Sequence, residues 1–513
     1  MPLINNSYTY YYMRRLDKKP FWVFILLTSL LFNNPQKGLA QEMLGLTLGN
    51  YSGSPGLMIN PAMITNNKSF LDINLISADV FFRNNFAYIP KEDFVIWDAL
   101  KPDYVFPTYT AKSKNFLYYE DQGLKNATVN VRVMGPSAML QVGKHGFGLQ
   151  TGVRFFSSGN RLPWEMPVFA YKGLDYGELH HINFIDYDFD FSSTAWMELG
   201  LSYGYDLYDY LDEKITIGIS VKKLWGYSGV YAEAQNGDYI VLDDSTISIN
   251  DFNTQIGFAL PNDNDANGFN QTGPTFKGSG IGLDVGVVYT KKKKVVTNVW
   301  RGGKLCSQTY DDYIYRLGIS ILDIGRVNYK SNAQLHSFND IEVFWENVDT
   351  LKYNNTNQFI TDLSTIMYGN PDESLSDDKI KIGLPTALSI QFDYHLSKRM
   401  YLAGFFIHPI RFNQNALRRP AQLAFVPRFE ARFLEISIPI SLYEYQYPRV
   451  GIAARFYFLT IGTERLGTYL GMADMNGLDI YASIKISINK GSCRSLFGGA
   501  CSNANFGNKK LGR

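Results

Sequence analysis

Between residues 478 and 488 every second position is apolar (Leu478, Ile480, Ala482, Ile484, Ile486, Ile488), and between them stand Asp479, Tyr481, Ser483, Lys485 and Ser487. A repeat of two over that length is a β-strand with one oily and one wet face. A tilted strand crosses a bilayer in about 9–11 residues, so this segment is long enough to do so. The pattern recurs at 214–234, where Ile215, Ile217, Ile219 and Val221 alternate with Thr216, Gly218, Ser220 and Lys222. It recurs again at 386–396, where Leu388, Ile390, Phe392 and Tyr394 alternate with Ser389, Gln391, Asp393 and His395. Repeated strands of this kind predict an all-β, antiparallel transmembrane barrel.

Composition agrees. Only 19% of the 513 residues are charged and 15% are aromatic, with 35 Tyr and 35 Phe. An average soluble domain carries about 25% charge, and aromatic girdles mark both faces of a membrane barrel. A mean hydropathy of -0.16 excludes a helical membrane protein but not a barrel, whose apolar residues alternate with polar ones. Residues 1–40 hold five of the basic residues and one acidic residue, leaving 44 basic and 47 acidic beyond them. That balance lacks the basic excess of a nucleic-acid binder. Three cysteines make no disulfide framework. Cys493 and Cys501 share a Gly/Ser/Asn-rich tail and are candidates to pair in an oxidising compartment, with Cys306 left over.

Arg14, Arg15, Lys18 and Lys19 precede an apolar run at 21–32, and a polar stretch ends in Gly38-Leu39-Ala40. This is the layout of a secretory signal, too short to span as a helix. Residues 1–40 are expected to be cleaved off, with Gln41 as the mature start, no lipid-bearing Cys after it, and Met13 as an alternative initiator.

Beyond the signal, 44–66 is rich in Gly, Ser and Pro, lacks alternation and contains Asn60-Pro61-Ala62. Residues 41–68 are read as a periplasmic or plug segment, 69–488 as the barrel with long extracellular loops, and 489–513 as a polar tail. Strand-like stretches total roughly thirteen, and because single-chain barrels favour even counts about 14 strands are expected. Short turns such as 396–399 alternate with long connections at 90–126, 157–193, 235–278 and 330–379, the last containing a candidate short helix at 358–367. Inward positions include Gly200, Gly204, Gly218, Gly282 and Gly286, explained either by a plug packed against them or by strand curvature.

Several strings carry a resemblance: Thr194-Ala195-Trp196-Met197-Glu198-Leu199-Gly200, Ile217-Gly218-Ile219-Ser220-Val221-Lys222, Leu322-Asp323-Ile324-Gly325, Leu384-Pro385-Thr386-Ala387 and Val426-Pro427-Arg428-Phe429-Glu430. Their order and spacing, from about residue 45 to 488, resemble the domain-of-unknown-function 5723 family of Bacteroidetes outer-membrane barrels. Asn60-Pro61-Ala62 ahead of a barrel is also similar, more distantly, to FadL-type transporters of hydrophobic compounds and to the PorV secretion shuttle. That likeness implies an N-terminal segment plugging a 14-stranded barrel, with Leu57, Met58, Ile59, Asn60, Pro61, Ala62 and Met63 as plug or gate residues.

No enzyme is expected. The six histidines (His145, His180, His181, His336, His395, His408) lack metal-site spacing, and no nucleophile signature accompanies them. Residues 263–268 match the first half of a calcium loop, but Pro274 stands where the twelfth-position acid belongs. Asp186, Asp188 and Asp190 alternate with Tyr187, Phe189 and Phe191 as an amphipathic strand, a rim above the membrane. Glu198, Lys222, Asp284, Arg316, Asp393 and Lys485 occupy the polar phase of apolar strands and should face the lumen, as salt bridges or as a selective ring. No cofactor or metal is expected. Two functions remain open: a FadL-like conduit for small hydrophobic molecules in the outer membrane, or a PorV-like barrel that binds or helps assemble a protein partner at its extracellular loops. The first predicts an apolar pocket lined by Leu57, Met58, Ile59 and Met63; the second predicts a filled lumen and an apolar, ordered patch on the outer loops.

Overall fold

The structure is a computed structural model that describes residues 42–489, apart from 100, 105–108, 111–112, 115–116, 211, 266–269, 294–297, 302–303, 308–311, 351–352 and 414, together with 493–495. The signal region, Gln41 and Cys501 lie outside the described residues.

Fourteen antiparallel strands close on themselves. In chain order they are β1 (Ser69–Asn84), β2 (Lys125–Met134 and Ser137–Val142), β3 (His145–Leu162), β4 (Asn183–Tyr210), β5 (Glu213–Val241), β6 (Gly278–Lys292) and β7 (Tyr313–Tyr329). There follow β8 (Ala387–His395), β9 (Met400–Pro409), β10 (Gln422–Glu430), β11 (Leu434–Ser437 and Ile440–Tyr443), β12 (Tyr447–Val450 and Ile452–Phe456), β13 (Leu459–Thr463) and β14 (Gly477–Asn489). β14 pairs back onto β1, from Leu71 opposite Ile488 to Arg83 opposite Gly477. Closure gives each wall strand a hydrogen-bonding neighbour on both sides, which lipid demands because it offers no partner to a free N–H or C=O.

The predicted alternation sorts the two faces. In β5, Thr216, Ser220 and Lys222 are buried inside, whereas Ile217, Ile219 and Val221 are exposed outside. In β14, Asp479, Tyr481, Ser483 and Lys485 point in, and Ile480, Ile484, Ile486 and Ile488 point out. Among the described residues no helix is long and apolar enough to cross a membrane. An edgeless barrel with an apolar outer belt is a transmembrane barrel, and the outer membrane is where such barrels reside.

One end of the barrel carries short turns and the other carries long structures. β4 and β5 contain 28 and 29 residues, so each runs for about 95 Å and rises far beyond a bilayer. The stretches 157–193, 235–278 and 330–379, expected as polar connections, are therefore partly sheet. Strand Ile247–Ala259 pairs with β5, and Ala333–Phe338 and Val343–Trp345 pair with it in turn. The expected helix is Thr356–Tyr368, started by Asn355 Oδ1 accepting from Gln358 N at 2.7 Å and stopped at Gly369 with φ 75°. Its Ile360 and Leu363 pack on Ile249, Phe258, Phe338 and Ile341. Two aspartates of the expected rim hold this extension together: Asp190 takes both Arg411 guanidinium nitrogens at 3.0 Å, and Asp188 accepts from Asn236 N. At the short-turn end a small sheet places Cys306 opposite Cys493, so the register sets the tail beside Cys306.

This placement predicts a contrast between two isoleucines on outward faces. Ile219→Arg, in the apolar belt, is expected to lower unfolding stability in liposomes by about 2–4 kcal/mol. Ile185→Arg, also exposed but in the long extension of β4, should change it by no more than about 0.5 kcal/mol. Equal losses in urea titrations would contradict the position of the belt.

Candidate functional site

The residues that converge inside the barrel belong to the segment 42–67, which the wall buries almost throughout; only Gly45, Tyr51 and Met58 are half-buried. It coils as a short helix, Leu44–Thr47, and two 3-10 turns, Ser54–Met58 and Pro61–Thr65. Proline suits the first position of such a turn because its missing N–H would have no intrahelical partner there. Asn60 caps the second turn: its Oδ1 accepts from Ala62 N at 2.9 Å. Its Nδ2 reaches the wall, donating to Gln391 Oε1 at 2.9 Å and Val287 O at 3.3 Å. Gln391 Nε2 and Ser320 Oγ both donate back to Ile59 O.

The wall is hollowed to receive this coil. A Cβ at Gly218 would collide with the backbone of Pro61 and Ala62, one at Gly286 with Asn60, and one at Gly204 with Ile64. Gly148 meets Leu57 in the same way, at 2.9 Å. Gly200 and Gly282 differ, for their nearest neighbours are wall side chains such as Lys222. Of the residues singled out in 57–63, Leu57, Ile59, Asn60 and Ala62 are fully buried, Pro61 and Met63 are buried, and the Met58 sulfur accepts from Arg132 Nη1 at 3.1 Å.

Charges clasp the segment at two heights. Towards the long-loop end, Asp323 binds Arg154 at 3.1 Å, Lys222 at 2.7 Å and Arg419 at 3.1 Å. Lys222 also binds Asp284 at 2.7 Å, and Glu198 stands 3.6 Å from Arg154. Arg419 then grips Glu42 with both arms of its guanidinium, at 2.7 and 2.8 Å. Towards the short-turn end, Glu430 binds Lys68, Arg428 and the Asn50 amide. Asp393 binds Arg428, and Arg316 donates to Asn50 Oδ1 at 2.9 Å. Lys485 donates to the carbonyls of Tyr51 and Ser52. All six charges singled out in the sequence thus lie in the lumen, three in the upper cluster and three around 50–52.

Sequence reasoning missed Asp323, Arg419, Glu42, Arg154, Arg428 and Glu430. Asp323 departs from the alternation because its backbone is left-handed, φ 52°, and Gly325 follows at φ 150°; this kink in β7 carries the carboxylate inward. Arg419 lies in the connection between β9 and β10, which turns into the lumen. There Leu417 N donates to Gly383 O, Arg418 N to Ser158 Oγ, and Leu417 is buried in an apolar cluster with Trp196, Leu224 and Tyr329.

Two cavities flank the segment, each of about 20 Å³, room for one water. One is polar, lined by Met58, Arg132, Arg154, Glu198, Lys222 and Asp323. The other is lined by Leu48, Ile59, Met63, Val288, Phe392 and Ala403 together with Arg316, Gln391 and Asp393. The histidines are engaged in ordinary polar contacts, among them His336 with Ser374 Oγ, His395 with Asp312 and His408 with Tyr445 OH. Residues 266–268 of the calcium-like loop lie outside the described residues.

Two substitutions separate the roles of cap and clasp. Asn60→Ala removes the cap and the bridge to Gln391, and should loosen 42–67 by about 2 kcal/mol without opening the wall. Limited proteolysis would then cut within this segment while the barrel stays resistant. Asp323→Asn removes the anion that three buried cations share, leaving Arg154 only Glu198 at 3.6 Å, and should cost the whole barrel about 3–5 kcal/mol in denaturant midpoint measurements.

The profile of a family of unknown function, DUF5723, matches residues 61–464. No curated protein matches the chain. Solved structures similar to it include the toluene transporter TbuX of Ralstonia pickettii (8% identity, TM-score 0.38, covering 88% of this chain and 99% of that one). A FadL homologue of Pseudomonas aeruginosa is similar at 10% identity and TM-score 0.38, over 88% of this chain and 98% of that one. The translocator domain of the autotransporter NalP from Neisseria meningitidis is similar at 7% identity and TM-score 0.29, over 82% and 90%. With the match running from inside the lumenal segment to the end of β13, the chain belongs to the DUF5723 family.

Proposed function

We propose that the protein is a gated outer-membrane conduit for small hydrophobic molecules, shut in this state by 42–67. The observation that supports this most is the two-sided character of the segment. On one side Asn60 and the charges around Asn50 and Glu42 hold it with directional bonds. On the other, Leu44, Leu48 and Ile59 lie against Leu322, Phe405, Ile407 and Val426 in an apolar cluster across β7–β10. Dispersion contacts are non-directional, so a small apolar guest can replace them with little loss. An apolar path of this kind offers an ion few hydrogen-bonding partners, so the barrier to polar solutes holds while an apolar guest moves. The apolar cavity at Ile59 and Met63 is the starting void of such a path.

The lumen filled by 42–67, with cavities of only about 20 Å³, and the ordered module of strand Ile247–Ala259 and helix Thr356–Tyr368 favour a second reading, in which the long-loop end docks a protein partner. Transfer of a small hydrophobic fluorophore into liposomes distinguishes the two. The conduit reading expects wild-type barrels to speed transfer, and Gly218→Ala, which pushes Pro61–Ala62 off the wall, to speed it several-fold more, with folding checked by heat-modifiable migration on gels. Transfer at the rate of lipid alone by both folded forms would overturn the conduit and leave the docking platform.

A further inference from the structure

Many buried cations in the lumen have a carboxylate beside them, as Arg154, Lys222, Arg419, Arg428 and Arg455 show. Three arginines at the long-loop end do not follow this rule. Arg83 at the top of β1 and Arg449 of β12 lie against one ring, Tyr443 of β11, with guanidinium carbons 4.4 and 3.4 Å from its centroid. Arg465, just past β13, comes in beside them because residue 477, the register partner of Arg83, is glycine; a Cβ there would strike Arg465 Nη1. The three side chains are nine-tenths or more buried, at 3%, 9% and 8% exposure.

Arg465 Nη2 donates to Asn476 Oδ1. Arg83 Nε and Nη1, Arg449 Nη1 and Nη2, and Arg465 Nη1 have no hydrogen-bond partner among the described residues. No carboxylate among the described residues lies within 4 Å of a nitrogen of these three arginines, although acidic groups stand near them. Glu464 accepts from Leu44 N and Gln422 Nε2. Glu444, in the outer turn after Tyr443, has both carboxyl oxygens without hydrogen-bond partners, and burial pushes its pKa up to about 8 against the pull of Arg418, Arg83 and Arg449. Asp479 of β14 is buried within electrostatic reach of Arg449 and Arg465 without taking their free N–H groups, and Arg418 adds a further cation, 3.5 Å from Asn160 Oδ1. Buried guanidinium groups left unpaired are costly, and an oxyanion accepts several such N–H bonds at once.

We propose that Arg83, Arg449 and Arg465 form a receptor for an oxyanion group, a carboxylate, sulfate or phosphate, at the long-loop end of the lumen. The proposal does not depend on transport, since binding at equilibrium suffices. The anion is either a free inorganic ion or the head of an amphiphile whose tail lies on the apolar surface of the lumen.

Calorimetric titration of the purified full barrel in a non-ionic detergent tests this with inorganic phosphate, sulfate, decanoate below its micellar concentration, and decanol as an uncharged control. Saturable one-to-one binding of an anion, but not of decanol, is expected. Phosphate or sulfate binding as tightly as decanoate identifies a free-anion site; decanoate alone, or tighter, identifies an amphiphile head. Arg449→Gln and Arg83→Gln should each weaken binding by about tenfold or more. Lys379→Gln, which removes an exposed outer charge, should leave it unchanged. Arg449→Lys keeps the charge but loses the fork, and should weaken binding even where the glutamine variants fail to fold. An absence of saturable anion binding by the folded wild type, or unchanged affinity in folded Arg449→Lys and Arg449→Gln, would overturn the proposal and leave the arginines to water.

Discussion

Asp323 is the carboxylate on which the closed lumen depends. Its left-handed backbone turns β7 inward, its own N–H donates to Asp284 Oδ1 at 2.7 Å, and its oxygens neutralise Arg154 of β3, Lys222 of β5 and Arg419 of the inward connection. Through Arg419 the same charge reaches Glu42, so wall, connection and lumenal segment share one anion. A buried ion pair adds little stability compared with an apolar core of the same shape, but breaking one is expensive. The network therefore acts less as glue than as a specification: only one placement of the segment leaves no cation of this cluster bare.

The rest of the lumen follows the same division of labour. Glycines of the wall, Gly204, Gly218 and Gly286, set how closely the coil approaches, and Asn60 sets where along the wall it stops. Directional bonds hold Ile59 and Asn60 to β7 and β8 and Asn50 to β10, while Leu44, Leu48 and Ile59 add an apolar seam with side chains of β7–β10. Against this background the cluster around Tyr443 is an exception of opposite sign, with guanidinium groups and no carboxylate committed to them.

The barrel was legible because lipid and lumen impose opposite demands on successive residues, and a period of two is the imprint of both. That is why 214–234 and 478–488 read as strands, and why Glu198, Lys222, Asp284, Arg316, Asp393 and Lys485 read as inward. Their partners were not legible. Glu42 and Arg419 stand 377 residues apart, and no local pattern links them. The connection holding Arg419 is polar enough to pass for a surface loop, and only its contacts with Gly383 and Ser158 turn it inward. The long extensions of β4 and β5 were read as loops because alternating Asp and Tyr lacks the apolar phase of a lipid-facing strand; above the membrane both faces meet water or a thin layer of neighbouring chain. Gly200 and Gly282 shared the glycine signature of Gly218 without sharing its neighbour, since a missing side chain records close approach but not what approaches.

Hydrogen–deuterium exchange of the folded barrel, followed by mass spectrometry on peptides spanning 42–67, tests most directly whether this segment is docked in the lumen. If it is clasped as described, amides from Leu57 to Asn66 exchange as slowly as those of β5 and β7, because opening them requires breaking the bonds of Asn60 and the contacts of Gly218. Exchange within seconds, alongside protected strands, would contradict the clasp and place the segment outside the wall's hold.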